Sequence, residues 1–295
     1  MLDVAAHLIL RPRDEPFLGT LLDSLVGAVD RLIVNDNAPD PSPHADALSA
    51  SWFGRSGQVA VDRTPFTDFS AARNTCLRMH AELEAGTWVA FVDADEVHGA
   101  TIRNVARRLS LVPSSYDFVD GYTWHFFASF DLYTSIERRM AFFRFRPDLR
   151  WRGRVHEQLV GLSGKRLALP YVYAHYGHVL SARRHAEKGR QYSSLGQAGA
   201  IVAREELDRI DVADYFRTIW PTLLPFRGKH PQAAARAIAL LRERYRADQL
   251  RALELVREAQ RSPWIRARNA LLAANYEQRW RARALDPLAR CLVAD

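Results

Sequence analysis

The chain has 295 residues, 48% of them hydrophobic and 25% charged, with 41 Lys+Arg against 34 Asp+Glu for a net charge of +7. That length suits one large domain or two modest ones, and the composition excludes a disordered, fibrous or membrane-spanning class. Its two cysteines, Cys76 and Cys291, are far apart with no metal-like spacing, which argues against disulfides or a zinc site and for a reducing, cytoplasmic setting.

Residues 3–10 read as a strand, too short an apolar run for a signal segment, and no later stretch approaches a membrane span. A helical pattern follows over 15–29, with Phe17, Leu18, Leu21, Leu22 and Leu25 on one face. Residues 31–34 form a second strand ending at Asn35-Asp36-Asn37. The loop 38–44 holds Pro39, Pro41 and Pro43 and is irregular. A short helix, a third strand at 58–62 and a helix over 69–85 come next, the last capped by Asp68 or Thr67. The fourth strand is 88–92, and a helix over 100–111 follows it. Four strands alternating with helices point to a parallel, doubly wound sheet.

Beyond residue 111 the pattern changes to longer, aromatic-rich strands at 116–127, 138–145 and 165–176. From residue 182 the chain reads as mostly helical, interrupted by Pro221, Pro225, Pro231 and Pro263. This gives an α/β domain over 1–180 and a basic helical region over 181–295, placed to shape an acceptor site or an oligomer contact. Residues 204–295 carry 18 Lys+Arg against 12 Asp+Glu, and so +6 of the total. Seven arginines in 261–290 face only Glu277 and Asp286. Such a stretch is either a solvated helix face or a surface for an anionic partner: nucleic acid, acidic lipid or a phosphorylated acceptor.

The segment 87–96, T-W-V-A-F-V-D-A-D-E, is an apolar run ending in three carboxylates. Carboxylates just past the carboxyl end of a buried parallel strand lie where open α/β sheets bind ligands. Asp93 and Asp95 stay ionised together only if something positive sits between them, and a hard divalent cation shared with a phosphate fits. That is the chemistry of a nucleotide-dependent transferase.

Further segments stand in a fixed order: Asp36-Asn37-Ala38 after the second strand, D-F-S-A-A-R-N at 68–74, D-A-D-E at 93–96, V-H-E at 155–157 and H-Y-G-H at 175–178. Over residues 1–195 this series resembles the family 2 glycosyltransferases of the GT-A fold, a Rossmann-like, mostly parallel sheet flanked by helices. The resemblance implies a nucleotide-sugar donor, a uridine one by the position of Asp36, a divalent cation (Mn2+ or Mg2+) and inversion at the anomeric carbon. Asp36 matches the aspartate that binds the nucleobase, although Ala38-Pro39-Asp40-Pro41 replaces the family's usual glycine-containing loop. Asp68 and Arg73 match positions contacting base or phosphate, with an ion pair from Arg73 to Asp36 or Asp93 as the structural alternative. Asn74 ties the helix to a neighbouring loop.

Asp95 matches the direct metal ligand, and Asp93 a ribose, metal or metal-water contact. His156 or His175 completes the metal shell. Glu96 belongs to the cap of the next helix. Glu157 is the candidate base that takes the acceptor proton, with Asp120 and Asp131 behind it, or else a partner of Arg152 or Arg154. Trp151, Trp124 and Tyr122 stack on sugar or base, or fill core. Lys188 and Arg190 reach the diphosphate, or are solvated. The acceptor is open between saccharide, lipid, peptide and nucleic acid. Two rival readings stand beside this one: a glycosyltransferase acting on hydroxymethylated bases in DNA, and a non-catalytic GT-A-like domain that binds nucleotide or partner.

Overall fold

A computed structural model describes residues 3–179, 181–196 and 210–294. In chain order the body runs β1 (Val4–Leu10), α1 (Leu18–Leu25), β2 (Arg31–Asp36), α2 (Ala45–Ala50), α3 (Trp52–Arg55), β3 (Val59–Asp62), α4 (Phe69–Glu82), β4 (Trp88–Phe91), β5 (Glu96–His98), α5 (Thr101–Arg107), β6 (Tyr116–Phe127), β7 (Ser129–Arg144), β8 (Arg150–Arg152), β9 (Gln158–Val160) and β10 (Lys165–His178). After it come α6 (Ala182–Ser194), α7 (Val212–Tyr215), β11 (Leu224–Pro225), α8 (Ala235–Arg244), α9 (Arg246–Ala259), α10 (Pro263–Arg281) and α11 (Pro287–Val293).

The main sheet has the order β3-β2-β1-β4-β7-β6-β10-β5, with β11 added to β7. Strands β3, β2, β1 and β4 are parallel, as the alternation of strands and helices requires. All seven residues of β1 are buried, because helices cover both faces and leave no polar side to the strand. The protein is therefore of the expected α/β class, a Rossmann-like sheet flanked by helices. Its second half is mixed rather than parallel, since β7 runs antiparallel between β4 and β6. Strand β7 begins at Ser129, well before the expected 138, and forms one long hairpin with β6. Ala128 turns that hairpin with φ 57°.

A second departure sits beside the Asp motif. Glu96 caps no helix. It belongs to β5, which pairs antiparallel with β10, and Glu96 is 1% exposed. Val92, Ala94 and Val97 are buried on either side of the carboxylates, which keeps the segment against the sheet.

Alternate residues of β6 point to opposite faces. Tyr122, Trp124 and Phe126 join a core with Ile238 and Leu241 of α8 and Ala273, Tyr276 and Trp280 of α10. Ala289 and Leu292 of α11 enter the largest core with β1, β4 and α5. Thus the helices beyond residue 210 are fastened to the sheet by apolar side chains. No helix among the described residues is long and apolar enough to cross a membrane.

Helix α4 connects the two halves. Asp68 caps it, accepting from the Ala71 N–H at 2.8 Å. Ser70 donates to the Gly153 carbonyl. The Asn74 side chain donates to the Trp151 carbonyl at 3.0 Å and accepts from the Trp151 N–H at 2.8 Å. Ser70 and Asn74 are four apart and share one face, so this side of α4 holds the 151–157 loop in place. Asn74→Ala leaves a buried backbone N–H and C=O unpaired, and a loss of about 1–3 kcal/mol is expected, read from the urea midpoint. An unchanged midpoint would contradict this role.

Candidate active site

Strand β4 ends at Phe91, and residues 93–96 turn there, with the Glu96 N–H donating to the Asp93 carbonyl at 3.0 Å. The Asp95 carbonyl accepts from the Tyr176 N–H at 2.8 Å, which hooks the turn onto β10 beside His175. Around it lies a cavity of about 510 Å³ at the carboxyl ends of β1 and β4. Of the sequence-predicted residues, Arg73, Asp93, Asp95, Trp151, His156, Glu157, His175 and Lys188 all line it.

Arg73 is 2% exposed and central. It donates to Asp93, to the Val92 carbonyl at 3.2 Å and to Glu157 at 3.4 Å, and its guanidinium lies 4.1 Å from the Phe91 ring centroid. The pairing alternative for Arg73 is therefore realised with Asp93, and Glu157 takes Arg73 rather than Arg152 or Arg154. Arg139 reaches the other Asp93 oxygen at 3.6 Å and Glu96 at 3.5 Å. Burial pushes the Asp93 carboxyl up, and Arg73 and Arg139 more than offset this, so it stays below the usual carboxylate range.

Asp95 is held differently. His175 Nε2 lies 3.2 Å from one oxygen and Lys188 Nζ 3.7 Å from the other. Burial raises its carboxyl, but His175 and Lys188 bring it well below the usual range. Gly177 packs directly on this pair: a Cβ there would collide with the Asp95 carboxylate and lie 2.8 Å from His175 Cε1. The glycine of the H-Y-G-H segment thus serves the close approach of Asp95 and His175.

Asp95 and His175 give one oxygen and one nitrogen donor facing the cavity. Among the described residues no group of three or more His, Cys, Asp and Glu side chains could hold a metal ion by itself. The pair suits a divalent ion that draws the rest of its shell from phosphate oxygens and water. The same position is reached by Lys188, which is 8% exposed and whose pKa burial lowers, Asp95 opposing.

Three sequence-predicted residues stay outside. Asp36 is fully buried and does not line the cavity, its carboxylate taken by His44 Nδ1 at 2.9 Å, Ser42 Oγ at 2.5 Å and the Ala38 N–H at 3.2 Å. The proline-bearing loop folds back over Asp36, so its carboxylate is committed to that loop. Asp68 is spent on its helix cap, and Arg190 does not reach the cavity. The reserve bases are likewise committed elsewhere: Asp120 pairs with Arg138 and Arg166 at 2.7 and 2.6 Å, and Asp131 with Arg242 at 2.7 Å. Trp151 stacks 5.1 Å from Phe91 in a core, as the core alternative expects, and it also lines the cavity.

Other lining residues went unread in the sequence: Arg11, Arg13 and Glu15 after β1, His125, Glu137 and Arg139 on the β6–β7 hairpin, and His178 and Tyr192. Arg11 and Arg13 were findable, since they follow a parallel strand's carboxyl end as Asp93 does. Arg11 is 7% exposed with a neutral partner, Gln191, at 2.7 Å, and it has no carboxylate partner among the described residues. His156 has φ 55°, in the left-handed region that favours glycine, and the flanking anchors on α4 hold it there.

No protein-family model matches the chain, and no curated protein matches it. Solved structures to which it is similar include a mycobacterial protein, at 18% identity and TM-score 0.30, with 41% of each chain covered. GalNAc-T7, crystallised with UDP, GalNAc and Mn2+, matches at 12% identity and TM-score 0.32 over 42% of this chain and 24% of that one. S. aureus TarS 1-349 matches at 12% identity and TM-score 0.34 over 95% of this chain and 92% of that one. The chain thus spans less than half of the first two.

Buried Glu96 sets a pH dependence. Burial and the neighbouring Asp93 raise its carboxyl to about 8, against Arg139. The folded state keeps a proton that the unfolded state releases near pH 4, so stability falls as pH rises through that window. The melting temperature of the wild type should drop more from pH 5 to about 8 than that of Glu96→Gln. Parallel curves would contradict the assignment.

Proposed function

We propose that the protein is an inverting glycosyltransferase that moves a sugar from a nucleoside-diphosphate sugar to an acceptor hydroxyl. The observation that carries this reading is the single cavity in which Asp93, Asp95 and Glu157 meet Arg11, Arg73, Arg139 and Lys188. A diphosphate leaving group needs positive charge, and a nearly buried Arg11 with no carboxylate partner among the described residues supplies it along with Lys188. The uridine assignment comes from the family resemblance, through the position of Asp36.

The acceptor oxygen attacks the anomeric carbon, the bond from that carbon to the phosphate oxygen breaks, and Glu157 takes the hydroxyl proton. Glu157 faces the cavity from a loop held by Asn74 and Ser70, which keeps the base in place. Glu137, on β7 and 3.5 Å from His125, is the other carboxylate open to an acceptor. Trp151 offers an aromatic wall of the kind sugars stack on. A divalent cation bound by Asp95 and His175 would neutralise the departing diphosphate. Cys76 is buried with its thiol pushed up to about 11 by burial, which keeps it unreactive and outside the chemistry.

Two outcomes follow. UDP with Mn2+ should raise the melting temperature, and Asp95→Ala should abolish the manganese-dependent part of that shift. A shift that persists undiminished in Asp95→Ala would remove the metal assignment. Glu157→Gln should lower kcat by about 100-fold or more with KM for the donor little changed. A kcat within a few fold of wild type would place the base elsewhere, with Glu137 next.

A further inference from the structure

Helix α10 has two faces. Asn269 is 4% exposed, and Ala273, Tyr276 and Trp280 pack into the core shared with β6. At 100° per residue the opposite face carries Trp264, Ala267, Leu271, Ala274 and Gln278. Trp264 is 85% exposed and Leu271 74% exposed, and Leu285, just past the helix, is 80% exposed. An outward apolar ridge on an otherwise well-packed helix is unusual in a solvated surface.

Arginines border the ridge. Arg268 and Arg281 flank it on the helix, and Arg261, Arg266, Arg279, Arg283 and Arg290 lie within the same segment, all of them exposed. Among the described residues only Arg281 of these seven has a carboxylate partner, Glu277 at 2.9 Å. The two that flank the ridge are held at their bases, Arg268 by the Pro221 carbonyl at 2.7 Å and Arg281 by Glu277, yet both stay exposed, and the segment carries more positive charge than its carboxylates balance.

We propose that this face of α10 docks on an anionic lipid surface, with Trp264 and Leu271 entering the headgroup boundary and the arginines on lipid phosphates. An exposed Trp and Leu bordered by basic side chains suit a headgroup boundary, where an amphipathic ring sits at the interface and arginines meet lipid phosphates. A second copy of the chain would set the same arginines against one another. A nucleic acid backbone would use the arginines and leave Leu271 and Leu285 without a partner. The helix lies on the sheet face opposite His125 and the cavity, so docking leaves the site open.

The test is flotation of the full chain with vesicles of phosphatidylcholine alone or mixed with equal phosphatidylglycerol. The protein should float only with the mixed vesicles and be released by salt. Trp264→Ser/Leu271→Ser, at positions too exposed to affect folding, should lower the bound fraction by about tenfold or more, and Arg279→Glu/Arg281→Glu by a similar factor. Unchanged melting curves would establish that both variants are folded. Absence of binding to the mixed vesicles, or binding indifferent to Trp264→Ser/Leu271→Ser, would overturn the proposal. So would a dimer in sedimentation that this variant dissolves, or DNA binding lost in Arg279→Glu/Arg281→Glu, if vesicles are not bound.

Discussion

Arg73 is a guanidinium almost without solvent, and a cation so placed is costly unless its donors are met by charge. Here it is met by Asp93, Glu157 and the Val92 carbonyl, over the face of Phe91. Those partners come from the end of β4 and from the 153–157 loop, while Arg73 itself comes from α4. One side chain thus fixes the distance between the Asp motif and the V-H-E segment, more than 60 residues apart in sequence. Removing the cation would leave Glu157 without a cationic partner and Asp93 with Arg139 alone.

The remaining charge is arranged around this centre. Asp93 is held by arginines, which cannot give up a proton. Asp95 is held by a histidine and a lysine, the first able to share a metal ion with it once neutral and the second able to follow a phosphate. The pair of aspartates is therefore asymmetric: one is structural and the other exchangeable. This is the physical ground for assigning metal and phosphate to the Asp95 side of the cavity and for treating Asp93 as the fixed wall.

Much of this could be read from the sequence where short-range rules apply. The apolar run into Asp93, the helix cap at Asp68, the tie made by Asn74 and the parallel half of the sheet all follow from local pattern. The convergence of Arg73, Asp95, Glu157, His175 and Lys188 was legible through motif order. What escaped depends on long-range pairing. Glu96 looked like a helix cap because nothing local announces its pairing with β10. Arg139 and His125 reach the cavity only because β6 and β7 form a hairpin far longer than the apolar pattern at 138–145 suggests. The folding of the proline-bearing loop onto Asp36, through Ser42 and His44, also cannot be seen in composition.

The central claim is that the cavity around Asp95 is a nucleotide-sugar donor site. The most direct measurement is a crystal structure of the protein soaked with UDP and Mn2+. The account predicts diphosphate density against Lys188 and Arg11, with the ion on Asp95 and His175. A nucleotide bound elsewhere on the protein, with this cavity holding only water, would contradict it.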